Sequence, residues 1–141
     1  MPRLSKRRAW AALAAAILVA LAFWAALSHR VYSRTLPIGL LEHLFGEDDN
    51  GWQPAAFVLR KLYSIVAFTL IGFVVHKALP PARHPAARAA VIVAGISALI
   101  EIAQKARHAH EGILSNLFDI LCGAFGGWLA VAIARALKRR A

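Results

Sequence analysis

Residues 113–137 read ILSNLFDILCGAFGGWLAVAIARAL, an apolar run in which Asp119 is the only charge before Arg135. At about 1.5 Å of rise per residue, a helix of this length crosses the roughly 30 Å of hydrocarbon in a bilayer. A carboxylate at that depth is costly unless it faces protein, so Asp119 predicts a helix packed inside a bundle. Asn116, Asp119 and Gly123 line up on this helix with Gly126 and Gly127. Gly123 and Gly127 form a small-x-x-x-small pair that lets a neighbouring helix approach closely. Gly123, Gly126 and Gly127 are therefore the expected helix-packing residues.

Working outward, three more runs have the same character. Residues 9–27 carry no charge and follow Arg3, Lys6, Arg7 and Arg8. This run exceeds the roughly 7 to 15 residues of a signal-peptide core, so a retained first span is expected rather than a cleaved leader. Residues 62–79 form the second span, with His76 and Lys77 near its end, where a long lysine reaches the interface. Pro80, Pro81 and Pro85 then turn the chain into a third span over 86–103, with Arg88 at one mouth and Glu101 near the other. Residues 28–61 are left as a loop outside the membrane. The expectation is an all-α protein, a four-transmembrane-helix bundle making one integral membrane domain of residues 1–141.

Composition agrees with that class. Hydrophobic residues make up 60% of the chain and mean hydropathy is +0.57, above the apolar share of soluble domains. A net charge of +10 would suit nucleic acid, but the basic residues flank apolar runs instead of forming a patch interleaved with aromatics. Nucleic acid is not expected as a partner; anionic lipid headgroups on the cytoplasmic side are. Cys122 is the single cysteine, so one chain builds neither a disulfide nor a cysteine metal site.

The four spans alternate sides, which allows a topology test. One side collects both termini and the turn around Pro80, with eleven of the seventeen lysines and arginines and no acid. The other receives Arg30, Arg34, Arg60, Lys61, Lys105 and Arg107, together with Glu42, Glu47, Asp48, Asp49 and Glu111. The positive-inside rule counts the cations and places both termini in the cytoplasm. Glu101 and Asp119 then both fall toward the external end.

Helical phase brings those two carboxylates together. Ser97, Glu101, Gln104 or Lys105, and His108 recur at three- and four-residue intervals on the third span, beside a small-residue stripe of Ala90, Ala94 and Ala98. Packing through the small stripes turns Glu101 and Asp119 toward a shared space, with Arg60, Lys61 and Arg107 as candidate partners. A purely structural assignment stands beside this one. Asp119 also reads as an internal salt-bridge partner that sets helix register, and Glu101 as a solvated boundary residue.

The remaining constellations are weaker. His108 and His110 stand at an i, i+2 spacing that separates them on a helix, so a solvated loop is expected there and no metal. Glu47 to Gly51 lacks the alternating ligands of a calcium loop and reads as a tight turn. His43 and the leucines around it suit a short helix lying on the outer surface. His76 suits a headgroup-facing histidine better than a haem ligand. Trp10, Trp24, Trp52 and Trp128 are expected as interface anchors. No cofactor is expected.

Two stretches carry a resemblance. Glu101-Ile-Ala-Gln104, followed by Asp119-Ile-Leu-Cys-Gly123-Ala-Phe-Gly126-Gly127, resembles the signature of the VanZ-like family of small bacterial membrane proteins. Lys61-Leu-Tyr-Ser64-Ile-Val-Ala-Phe68-Thr-Leu-Ile-Gly72-Phe73 is similar to that family's first motif. The chain departs from the family pattern at Arg60, Ser64, Ile113 and Gly123, where aspartate, histidine, arginine and asparagine are usual. The resemblance implies a four-span bundle in the bacterial cytoplasmic membrane, and the family's named member is associated with low-level resistance to glycopeptide antibiotics.

Together these observations lead to an external polar pocket of Glu101, Gln104, Asp119, Lys61 and Arg107. Its expected role is to bind or shield a lipid-linked cell-envelope precursor or a lipophilic glycopeptide. Two alternatives remain open: an enzyme acting on a lipid headgroup or isoprenoid carrier, and an accessory subunit that contacts a larger protein partner in the membrane.

Overall fold

The computed structural model describes residues 5–28, 52–106 and 113–140. Four helices account for nearly all of them: α1 (Lys6–Leu27), α2 (Trp52–Ala78), α3 (Pro85–Ala106) and α4 (Ile113–Arg140). All four are long and apolar enough to cross a membrane. No strand occurs among the described residues.

Helix ends follow local chemistry. The Ser5 carbonyl accepts from the backbone N–H groups of Arg8 and Ala9, which closes the first turn of α1. Leu79 N–H returns to the Val75 carbonyl, after which Pro80 and Pro81 offer no donor to continue α2. Pro85 opens α3 at the first helical position, where its missing N–H costs nothing. Arg88 ties this turn together by donating from its guanidinium to the Pro80 carbonyl.

One boundary differs from expectation. The helix of the second span begins at Trp52, not Leu62, so the last ten residues assigned to the loop 28–61 are helical. Hydropathy marks the continuously apolar part of a helix, and Gln53, Pro54, Arg60 and Lys61 break that signal over residues 52–61. Pro54 is tolerated there because the first turn has no intrahelical donor to lose. The change puts Arg60 and Lys61 inside a helix.

Helices consecutive in sequence run in opposite directions. Gln104, near the end of α3, donates to the Ala26 carbonyl near the end of α1 at 3.1 Å, so these two helices finish together. Lys61, early in α2, meets Asp119, early in α4, so these two begin at that same level. We call this the polar end. The opposite end holds the start of α1, the turn between α2 and α3, and the cationic last turn of α4, Lys138 to Arg140.

α4 is the central helix, packed extensively against both α2 and α3, while α1 lies mainly on α2. Its buried positions include Asn116, Asp119, Gly123, Gly126, Gly127, Ala130 and Ala134. The glycines divide their duties. A Cβ on Gly127 would stand 2.6 Å from the Ala89 carbonyl oxygen, and one on Gly123 would stand 2.8 Å from Ser97 Cβ, so both serve the α3 interface. Gly126 serves α2, where its Cβ would meet Phe68 Cβ at 2.8 Å. In lipid, where burial of apolar area does not drive association, such close backbone approach is a main source of packing energy.

α1 is attached differently. It has no buried residue, and it lays Ala15, Leu18, Val19, Ala22, Phe23 and Ala26 on the core built by Phe68, Ile71, Val75, Val93 and Ile100. Its other face exposes Trp10, Leu13, Ile17, Leu21 and Trp24, as expected of a helix bordered by lipid on one side.

Candidate functional site

The polar end gathers both described carboxylates, Glu101 and Asp119, together with the cations Arg60, Lys61 and Lys105. Lys61 Nζ donates to Asp119 Oδ2 at 2.6 Å, joining α2 to α4. Both residues are buried, with Lys61 4% exposed and Asp119 9%. Two aromatic rings stand beside the ammonium. Nζ lies 4.9 Å from the centroid of Phe57, one turn earlier on α2, and 5.7 Å from that of Phe118, the neighbour of Asp119. The rings are 6.2 Å apart and tilted at 45°. Both are exposed on their far sides, so they wall the ion pair from its surroundings while offering their negative faces to the cation.

α3 is tied in one turn deeper and one turn shallower. Ser97 is fully buried and its hydroxyl donates to the Asp119 backbone carbonyl at 3.0 Å. Glu101 is half-buried one turn later and engages Asn116. With its amide oriented to satisfy both neighbours, Asn116 donates to Glu101 Oε2 at 3.0 Å and accepts from Lys105 Nζ at 3.1 Å. Glu101 and Lys105 stand at i, i+4 on α3, so one buried amide bridges a favourable helix pair. Ser115 completes the rim by accepting from Arg60 at 3.3 Å and from Lys61 at 3.5 Å.

The two carboxylates thus share one cluster but take different partners. Asp119 goes to Lys61 and Glu101 goes to Asn116, with Asn116 and Asp119 one turn apart on α4. Gln104 faces α1 rather than this space, and its amide holds the Ala26 carbonyl. Arg107 lies outside the described residues, as do His43, Glu47 to Gly51, His108, His110 and Glu111. Gly123, Gly126 and Gly127 sit below the cluster as the contact strip just described.

Some members of the cluster were not singled out by sequence. Phe57, Phe118 and Ser115 carry no polar periodicity of their own. Their signal is proximity: Phe57 precedes Lys61 by one helical turn and Phe118 adjoins Asp119.

The groups gathered here interact through charge and hydrogen bonding. Described members carry three cations, Arg60, Lys61 and Lys105, against two carboxylates, Glu101 and Asp119. Ser97 gives its proton to a backbone carbonyl, and Ser64 does the same toward Arg60. Neither hydroxyl is paired with a base in the manner of an activated nucleophile. Among the described residues no group of three or more histidine, cysteine or carboxylate side chains is placed to hold a metal ion. No family model, no curated protein and no solved structure matches this chain.

Proposed function

We propose that this chain is a VanZ-like protein of the bacterial cytoplasmic membrane, with both termini inside, whose polar end binds the headgroup of a lipid-linked cell-envelope precursor or a lipophilic glycopeptide. The observation that carries this reading is the buried Lys61–Asp119 pair beneath a rim of Ser115, Asn116, Glu101 and Lys105. An excess of cation over carboxylate suits a phosphate-linked headgroup, and the aromatic faces of Phe57 and Phe118 suit the sugar or prenyl portion beside it. The eleven-to-six division of basic residues supports the orientation that turns this end outward. Arrangement and charge favour binding over turnover, because the hydroxyls bonded within the cluster serve backbone carbonyls or accept from cations.

Purified protein in nanodiscs, titrated with a polyprenyl-pyrophosphate-linked muropeptide and separately with teicoplanin, tests the proposal. Saturable binding of either compound, weakened about tenfold or more by Lys105→Gln without product formation, is the expected result. Release of a cleaved or transferred headgroup, abolished by Asp119→Asn while binding survives, would establish the enzymatic alternative instead. Absence of saturable binding to both compounds would remove the proposal.

A further inference from the structure

The opposite end of the bundle holds a second site of different character. A cleft of about 550 Å³ opens between the end of α2 and the end of α4, lined by Phe73, His76, Lys77, Arg135, Leu137 and Lys138. Every charged side chain in it is a cation. The described carboxylates, Glu101 and Asp119, both belong to the polar end, so Lys77, Arg135 and Lys138 have no described acid beside them. His76 adds a buried Nδ1 that has no hydrogen-bond partner among the described residues. A buried ring nitrogen without a partner loses its hydration uncompensated, so a turn of the His76 ring that brings Nδ1 to the cleft would let a polar group there restore that bond.

Lys77 Nζ lies 5.4 Å from the centroid of Phe73, which places an ammonium over the apolar wall of the same cleft. Arg135 and Lys138 stand at i, i+3 on α4 and therefore project from one face of it. Phe73, Leu137 and the buried Ala134 give the lining an apolar share. Cationic donors beside hydrocarbon walls match a group with an anionic oxygen cluster and an attached chain. A soluble anion would leave those walls wet.

We infer that this cleft is a specific site for the phosphodiester of an anionic phospholipid, held by Arg135, Lys138 and Lys77, with His76 Nδ1–H donating to a phosphate oxygen and the first acyl carbons lying on Phe73 and Leu137. A guanidinium is suited to bidentate phosphate contact and the lysines supply point charge. The site stands apart from the polar cluster and does not depend on what that cluster binds.

Native mass spectrometry of the detergent-solubilised full chain, with graded additions of dioleoylphosphatidylglycerol, tests this. The expected result is one phosphatidylglycerol that survives when looser lipids are stripped, with dioleoylphosphatidylcholine bound at least about tenfold less well. The double substitution Arg135→Gln with Lys138→Gln should reduce retention about tenfold or more, and His76→Phe should reduce it severalfold while the protein stays monodisperse. Arg139→Gln with Arg140→Gln removes the same charge outside the cleft and should leave retention unchanged. Equal loss in that control would reduce the effect to bulk attraction and overturn the site. Displacement of the lipid by millimolar inorganic phosphate would reassign the same donors to a soluble anion and overturn the lipid assignment.

Discussion

Lys61 and Asp119 are separated by most of two helices in sequence, yet their charged atoms meet at 2.6 Å across the α2–α4 interface. The contact is directional and lies near one end of both helices. Ser97 reaches the same level from α3, donating to the backbone of the residue that holds the lysine. Three helices are therefore pinned at one depth. Below that depth their register is carried by close backbone packing.

Breaking this pair from one side should be expensive. Lys61→Met leaves a buried carboxylate, and Asp119→Leu leaves a buried ammonium; either is expected to cost on the order of 3–5 kcal/mol. Combining the two removes both charges and should recover most of the loss. Reversible unfolding in mixed micelles measures all three variants. Additive losses in the double variant would contradict a coupled pair.

The glycine strip allows a sharper contrast. A methyl at Gly127 would lie 2.6 Å from the Ala89 carbonyl oxygen and 2.9 Å from its carbon, so α3 has to move away. Gly127→Ala should cost about 1–3 kcal/mol. Gly95 has nothing within 4 Å of the same hypothetical methyl. Gly95→Ala should be neutral or stabilising by up to about 1 kcal/mol through helix propensity. Thermal unfolding of the two variants side by side checks the prediction, and equal effects would contradict it.

Spans and their polarity were legible because a helix in hydrocarbon must be apolar for some twenty residues, a demand that leaves a long continuous mark. The mark ends where lipid ends. Residues 52–61 are helical, but Gln53, Pro54, Arg60 and Lys61 interrupt their apolar residues before a continuous run begins at Leu62, and so they read as loop. Phase along α4 was legible for the same reason that Asp119 was: polar and small residues recur at three and four, and only the inward face accommodates both. Pairings between helices were less so. Lys61 stood among three candidate cations for the carboxylates, and nothing in the spacing of Gln104 separated an inward amide from one that turns to α1. Which partner a polar side chain takes depends on the rotation of each helix about its own axis, a quantity that hydropathy does not encode.

Gln104 supplies the bond that anchors an otherwise weakly held helix. α1 has no buried residue, and the Gln104 amide is its described side-chain hydrogen bond to the rest of the bundle. Gln104→Leu keeps the volume and removes the donor, at an expected cost of about 1 kcal/mol. The loss should be local. Hydrogen exchange at residues 22–27 should accelerate several-fold while α4 exchange stays unchanged. A uniform acceleration across all helices would mean that the bond supports the whole core.

Orientation is open to direct chemical test. Cys122 is buried, so Cys122→Ala gives a background without native thiols at little expected disturbance. Single cysteines then report each end from exposed positions: Ser5→Cys and Pro81→Cys at the basic end, Pro54→Cys at the polar end. Cations resist translocation, and by sequence eleven of the seventeen lysines and arginines belong to the side of Ser5 and Pro81. A membrane-impermeant maleimide on intact cells should therefore label Pro54→Cys alone, and all three after permeabilisation. The inverse pattern would turn the Lys61–Asp119 cluster toward the cytoplasm. A headgroup bound there would have to come from the inner leaflet, and an extracellular glycopeptide would no longer reach it.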